Sequence, residues 1–226
     1  MNDKVDFDDH KDTYNALLRE SVGFFSPDEA YFARYKVELV KKAARSERPL
    51  RILEYGCGIG RNIPFLKAAF PTAVIEGSDV ASASLEMARK ENPGVSFYLE
   101  DGSHDAEPFD MIFVASVYHH IPPAERSAAT ASLFRRLRSG GELYVFEHNP
   151  YNPVTRRIVN NCPYDADAVL LKPAELRSLI RGASFEVTAS AYCLFIPPKL
   201  SALAWMERAL GWLPLGGQYW VRGTRA

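Results

Sequence analysis

The sequence predicts an α/β fold: a doubly wound, mostly parallel seven-stranded sheet with an antiparallel last strand, helices on both faces and an N-terminal helical lid. Three observations carry that prediction. Short apolar runs alternate five times with segments of helical period between residues 51 and 148, and a glycine turn, LEYGCGIG at 53–60, closes the first run. Two further strand-like runs near the C-terminus lack the usual crossover helix between them. Repeated strand, helix, strand order favours parallel pairing, because right-handed crossovers place the connecting helices on both faces of one sheet.

The elements follow in order. Residues 28–44 place Phe32, Tyr35, Leu39, Val40 and Ala43 at helical spacing, with Ser26-Pro27 as a helix start. RILEY at 51–55 reads as strand, RNIPFLKAAF as helix, and TAVIEGSD at 72–79 as the second strand. Residues 81–91 read as helix and 95–101 as strand, while FDMIFVASVY at 109–118 is apolar almost throughout, as the buried centre of a sheet should be. Pro122-Pro123 opens a helix that runs to Ser139-Gly140-Gly141, where glycine provides a C-terminal stop before ELYVFEH at 142–148. A loop rich in proline and asparagine follows, then a short helix at 173–182 and the strands SFEVTASAY and GGQYWVRG, which suggest an antiparallel addition at the sheet edge.

Size and composition bound the function. A chain of 226 residues with 47% hydrophobic content suits one domain, divided here into a lid over 1–47, a cofactor core over 48–148 and a substrate-side loop with the last strands over 149–226. A formal net charge of -1 argues against a general nucleic-acid binder, which needs a basic excess to neutralise phosphates. Cys57, Cys162 and Cys193 are widely separated, with no Cys-x-x-Cys pair, so neither a disulfide framework nor a zinc site is indicated and no metal is expected. The polar, acidic N-terminus does not resemble a secretory signal, and no apolar run reaches about 18 residues, so a cytoplasmic protein without a transmembrane segment is expected.

In an open parallel sheet, ligands lie beyond the carboxyl ends of the strands. Gly56, Gly58 and Gly60 there can adopt backbone angles closed to other residues and let a ligand approach the chain. Three successive strands each end on an acid: Glu54, Asp79 and Asp101. Asp79, 19 residues beyond Gly60, stands where an acid accepts hydrogen bonds from ribose hydroxyls, and Asp101 could accept from an adenine amino group. No Walker-type lysine is present, so no phosphate-directed cradle is indicated.

Through E-x-G-C-G-x-G, the acid of GSDVA, EDG and FDMIFVASVYHHI, residues 48–148 resemble the class I S-adenosylmethionine-dependent methyltransferases, of the stand-alone bacterial small-molecule type. The resemblance implies that Glu54 and the loop glycines surround the methionyl portion of S-adenosylmethionine. It further implies that Asp79, with Val80 beside it, binds ribose, that Asp101 with Gly102 borders adenine, and that Ser116 lines the same pocket.

Methyl transfer is an in-line displacement, so holding the acceptor in a dry site supplies much of the catalysis and a base is optional. If the acceptor is a hydroxyl, His119 or His120 after the central strand could take its proton, or both could shape the pocket instead. His120 is favoured, since residues flanking a strand end alternate in direction and only one should face the pocket. Glu147, His148, Asn149, Tyr151 and Asn152 form a second polar cluster, although Asn149, Pro150, Asn152 and Pro153 also suit turns, and Arg156 and Arg157 offer an anion contact. Lys36 falls on the apolar stripe of the first helix, where it either reaches the cofactor or carries its ammonium out to solvent. Phe24, Phe25, Tyr31 and Tyr35 could cover the site or sit in the core.

The stretch 194–215 carries a helical apolar face that could wall an apolar or lipid-linked acceptor, touch a membrane surface, pack in the core or join two copies of the chain. The reading is an enzyme that methylates a small molecule, at a hydroxyl oxygen of a glycan or secondary-metabolite intermediate, acting as a monomer or homodimer and not on nucleic acid. A methyltransferase-fold protein doing other chemistry, such as cyclisation, or serving as a scaffold is the alternative; G-C-G-I-G departs from the dinucleotide fingerprint G-x-G-x-x-G.

Overall fold

The computed structural model describes residues 28, 30–45, 51–101 and 107–226. Its strands are β1 (Arg51–Tyr55), β2 (Val74–Asp79), β3 (Ser96–Leu99), β4 (Phe109–Ala115), β5 (Leu137–His148), β6 (Phe185–Cys193) and β7 (Gln218–Arg225). They form one seven-stranded sheet in the order β3-β2-β1-β4-β5-β7-β6. β1 pairs in parallel with β2 and β4, and β4 in parallel with β5, whereas β7 runs antiparallel between β5 and β6. The order reverses between β1 and β2 on one side and β4 on the other, which opens a crevice above the carboxyl end of β1.

The helices are α1 (Tyr31–Ala43), α2 (Ile63–Ala69), α3 (Ser82–Glu91), α4 (Arg126–Arg136), α5 (Pro153–Asn161), α6 (Pro173–Gly182) and α7 (Glu207–Leu210). Side chains along each strand alternate between two cores, as the pleat requires. Ile52, Met111, Phe113, Tyr144 and Phe146 pack with Val37 and Val40 of α1, Leu66 of α2, and Leu85 and Ala88 of α3. Leu53, Ile112, Val114, Leu143 and Val145 pack on the opposite face with Leu133 of α4 and Leu176 and Ile180 of α6. Both faces of β4 are thereby covered, which is why its sequence shows no polar alternation.

Several boundaries differ from expectation. Pro122-Pro123 sits in a turn and α4 starts only at Arg126; it ends at Arg136, and the chain passes directly into β5. Ser139-Gly140-Gly141 therefore belongs to the irregular beginning of that strand, where Gly140 takes a φ of +78° and the register with β4 shifts, and not to a helix cap. The stretch 194–215 forms a 3-10 segment, Pro198–Met206, followed by α7, instead of one amphipathic helix. Leu194 is buried there, but Leu200, Leu203, Trp205, Trp212 and Leu215 are exposed, so most of its apolar side chains are not core.

Two polar ties fix the covers over the sheet. The Tyr35 hydroxyl donates to Glu207 Oε2 at 2.9 Å, while Glu207 Oε1 accepts from the Phe195 and Ile196 N–H groups at 2.9 Å each, which pins α1 to the segment before β7. Arg126, fully buried, donates to the carbonyls of Ile121 and Val169 and to Glu175, tying α4 to α6. The expected start at Ser26-Pro27, with Phe24 and Phe25, lies outside the described residues.

Candidate functional site

A cavity of about 800 Å³ opens at the crevice, within the range that holds small-molecule ligands. One end is built from the loop after β1. Gly56, Gly58 and Gly60 all have positive φ, at +68°, +51° and +79°. A Cβ at Gly56 would strike the Val117 methyls, and one at Gly60 would meet Asn92 Nδ2 at 2.6 Å. A Cβ at Gly58 would meet nothing within 4 Å among the described residues, and Gly58 lines the cavity, so its bare backbone is where a ligand can come close.

Asp79 at the end of β2 accepts from the Gly58 N–H at 2.7 Å and from the Ala81 N–H at 3.0 Å, so it shapes the loop as well as facing the cavity. Burial raises its pKa against the lowering effect of those N–H groups. Val80 and Ser116 line the same space, and Ser116 holds a φ of +60° that turns the chain away from β4. Past β3 the cavity wall is Glu100, paired with Arg136 at 2.8 Å, while Asp101 beside it is exposed. Gly102 lies outside the described residues.

Glu54 is 1% exposed. Its Oε1 accepts from Asn62 Nδ2 at 2.5 Å, and its Oε2 has no hydrogen-bond partner among the described residues. Burial pushes its pKa up to about 8, with Asn62 and Lys36 pulling the other way. Glu54 itself does not line the cavity, but an orphaned carboxylate oxygen behind its glycine wall suits a cationic partner, as the ammonium of S-adenosylmethionine would be. Lys36 is buried against the cavity instead of reaching solvent, and burial lowers its pKa despite Cys193, Glu147 and Glu54.

The other end is a histidine cluster. Tyr118–His120 forms a single 3-10 turn, so both His119 and His120 line the cavity. The expectation that only one of them would face it fails, because the strand has already ended and alternation no longer applies. His119 Nδ1 lies 2.6 Å from Glu147 Oε2, and Glu147 Oε1 accepts from the Val117 and Tyr118 N–H groups at 3.0 and 2.8 Å. His120 Nδ1 lies 3.2 Å from Asp167, and the Nε2 atoms of both histidines lie 3.5 Å from Asp165. His148, half-buried, sets its ring 4.9 Å from that of His119 at a tilt of 54°.

Burial is the largest influence on His119 and lowers its pKa, but Glu147 and Asp165 together outweigh it and hold the group at about 9. His119 is therefore a cation at neutral pH and a poor proton acceptor. Burial and then the His119 charge lower His120, and the same two effects bring His148 to about 4. Glu147 is held below the usual carboxylate range by His119, against a burial effect of opposite sign.

Other sequence candidates have plain structural work. Asn152 caps α5 by accepting from the Val154 and Thr155 N–H groups, and Asn149 donates to the Pro214 and Gly216 carbonyls while accepting from the Tyr151 N–H. Tyr151, Arg156 and Arg157 are exposed and do not line the cavity. Sequence reasoning missed Cys162, Tyr164, Asp165 and Gln218, which complete the acceptor end. Gln218 pairs with His148 across β5 and β7, and its Oε1 is buried with no partner among the described residues. No local spacing signals this, because the antiparallel register alone brings the two together.

The sheet order and the glycine loop with its acids define a Rossmann-like enzyme built around an adenosyl cofactor. A family model described as a methyltransferase domain matches residues 52–141. Trans-aconitate 2-methyltransferase of Methylobacterium nodulans is 31% identical over 124 residues, covering 52% of this chain and 47% of that protein. The Variovorax paradoxus protein of the same name is 28% identical over 218 residues, covering 86% of this chain and 78% of its own length. A solved methyltransferase structure from Thermotoga maritima superposes with a TM-score of 0.68 at 21% identity, covering 97% and 98% of the two chains. Residues 52–141 therefore carry a methyltransferase domain, and the chain is similar to the class I S-adenosylmethionine-dependent methyltransferases.

Proposed function

We propose that the chain methylates a carboxylate oxygen of a small polycarboxylic acid of the trans-aconitate kind. The observation that carries this is the alignment with a trans-aconitate methyltransferase over 86% of the chain, which must take in more than half of residues 149–226, the acceptor side. The hydroxyl of a glycan or secondary metabolite, expected from sequence, draws no support from these relatives. A carboxylate is ionised at neutral pH and nucleophilic without a base. That agrees with a site whose most buried histidine is already protonated.

S-adenosylmethionine supplies the methyl group on a sulfonium. In this reading Glu54 and Lys36 take the ammonium and carboxylate of its methionyl end, with Gly56, Gly58 and Gly60 against it. Asp79 and Val80 border ribose, Glu100 takes the place beside adenine expected of Asp101, and Ser116 lies between. His119, His120, Glu147 and His148 hold and orient the acceptor, and Gln218 offers its amide to it. Residues 48–148 then serve the cofactor, 149–226 the acceptor, and the helix before β1 closes the cavity.

The test is incubation with S-adenosylmethionine and a panel of tricarboxylic, hydroxylated and amine acceptors, followed by mass spectrometry. A gain of one methyl on trans-aconitate or a close analogue, lost again on alkaline hydrolysis, supports an ester product. Turnover confined to hydroxyl or amine acceptors would refute the carboxylate assignment.

A further inference from the structure

The histidine end of the cavity has the donors of a metal site as well as those of an ion-pair network. His119, His120 and Asp165 each offer one ligand atom, and these atoms all lie within 4.8 Å of one another. The Nε2 atoms of the two histidines stand 3.5 Å from Asp165 Oδ1. Ligand atoms around a first-row ion at bond lengths of about 2.0–2.2 Å stand roughly 3.4 Å apart in a tetrahedron, so the histidine-to-aspartate spacings already fit, and the two imidazole nitrogens, within 4.8 Å of each other, would close by at most about 1.4 Å.

The far side of each ring strengthens the case. Ligating histidines characteristically give their second nitrogen to a carboxylate, which fixes the ring and makes the ligating nitrogen more basic. Both rings do so here: His119 Nδ1 faces Glu147 at 2.6 Å, and His120 Nδ1 faces Asp167 at 3.2 Å. Glu147 is in turn fixed by two backbone N–H groups, so its orientation is set before any ligand arrives. A network of ion pairs alone does not require both Nε2 atoms to converge on one carboxylate oxygen.

We propose that Nε2 of His119, Nε2 of His120 and a carboxylate oxygen of Asp165 bind one divalent first-row transition-metal ion at the acceptor end of the cavity. Two imidazoles and one carboxylate on one side leave positions open on the other, the arrangement of metal sites that take an exogenous ligand. The three residues line the cavity, so those positions face the acceptor. The ion's role is to clamp carboxylates of the acceptor, and this role rests on the acceptor class proposed above, whereas binding of the ion does not. Sequence spacing indicated no metal because Asp165 follows the histidines only after 45 residues and two intervening helices.

The test uses the full chain, treated with chelator and dialysed, with neither S-adenosylmethionine nor acceptor present. Titration with Co²⁺ should give visible absorption bands of a low-coordinate site, and calorimetry with Zn²⁺ should give one ion per chain. His120→Ala and Asp165→Asn, which change partly exposed side chains, should each weaken binding tenfold or more while the circular dichroism of the metal-free protein stays unchanged. Absence of saturable binding by the wild-type chain, or one-to-one binding that survives in both variants, overturns the site. If a variant loses its fold, the wild-type stoichiometry and the other variant decide. Methyl-ester formation unaffected by chelation, with tight metal binding intact, removes the clamping role but keeps the site. Failure to methylate any carboxylate, with metal binding intact, counts against the acceptor class alone.

Discussion

Glu54→Gln should make the cofactor-free protein more stable and the cofactor weaker, two effects of opposite sign from one nearly isosteric change. In the folded, cofactor-free chain burial lifts the Glu54 pKa from 4.5 to about 8. Between those values the unfolded chain has released the proton while the folded chain keeps it, so stability falls as pH rises from about 4.5 to about 8 and the cost is complete above that. At about 1.4 kcal/mol per pH unit the full cost is on the order of 5 kcal/mol, an upper figure for a buried group that can relax. Glutamine keeps an oxygen for Asn62 Nδ2 and carries no charge, so thermal melts from pH 5 to 9 should show wild type losing stability toward pH 8 and the variant staying flatter. Bound S-adenosylhomocysteine, which retains the ammonium, should restore the wild type and affect the variant less. Loss of one charge-assisted hydrogen bond, worth about 1.5–3 kcal/mol, corresponds to roughly 10- to 150-fold weaker binding by calorimetry. Parallel melting curves for the two proteins across this range, together with equal affinities, would refute both the buried-carboxylate argument and the assignment of Glu54 Oε2 to the cofactor.

The loop glycines should separate stability from binding. Gly56→Ala forces a Cβ onto Val117 at a positive φ and should cost about 2–4 kcal/mol in denaturant unfolding. Gly58→Ala has open space and pays only the left-handed strain, about 1–2 kcal/mol, so its larger effect should be on cofactor affinity measured by calorimetry. Asp79→Asn turns an amide N–H toward one of two backbone N–H donors and should weaken S-adenosylhomocysteine binding tenfold or more with a melting loss of about 1–2 kcal/mol; unchanged affinity would remove Asp79 from the cofactor site. Arg126→Met leaves the Ile121 and Val169 carbonyls without their donor and should destabilise by about 2–4 kcal/mol in urea, while the cofactor affinity of the folded fraction is kept.

The fold was legible where one physical signal dominated. RILEY follows Pro49 and is closed by glycine, and β1 occupies those five residues; α6 starts at Pro173 and ends at Gly182, both as expected. The start of β5 was not legible, because Ser139-Gly140-Gly141 suits a helix stop as well as the strand irregularity it makes. The cofactor end was readable for a topological reason. In a parallel sheet each strand delivers its last residue to the same edge, so acids at successive strand ends converge whatever the helices between them do. Glu100 shows the limit of that rule: β3 is short, and a shift of one residue at its end decides which acid meets the cavity.

The acceptor end obeys no such rule. It draws on the turn after β4, the end of β5, the segment following α5 and the start of β7, and only the antiparallel β5–β7 register places Gln218 opposite His148. The histidine pair is the sharpest instance. Alternation along a strand would send His119 and His120 to opposite faces, but Ser116 takes a left-handed φ, and the next residues form a 3-10 turn. Three residues per turn separate neighbouring side chains by roughly 120°, close enough for both Nε2 atoms to meet Asp165. Their chemistry follows from that convergence. With no ion bound, His119 between Glu147 and Asp165 is held protonated and is a poor base at neutral pH; an ion would displace that proton and occupy Nε2, so in either state the cavity is arranged to hold a negative acceptor more than to deprotonate a neutral one.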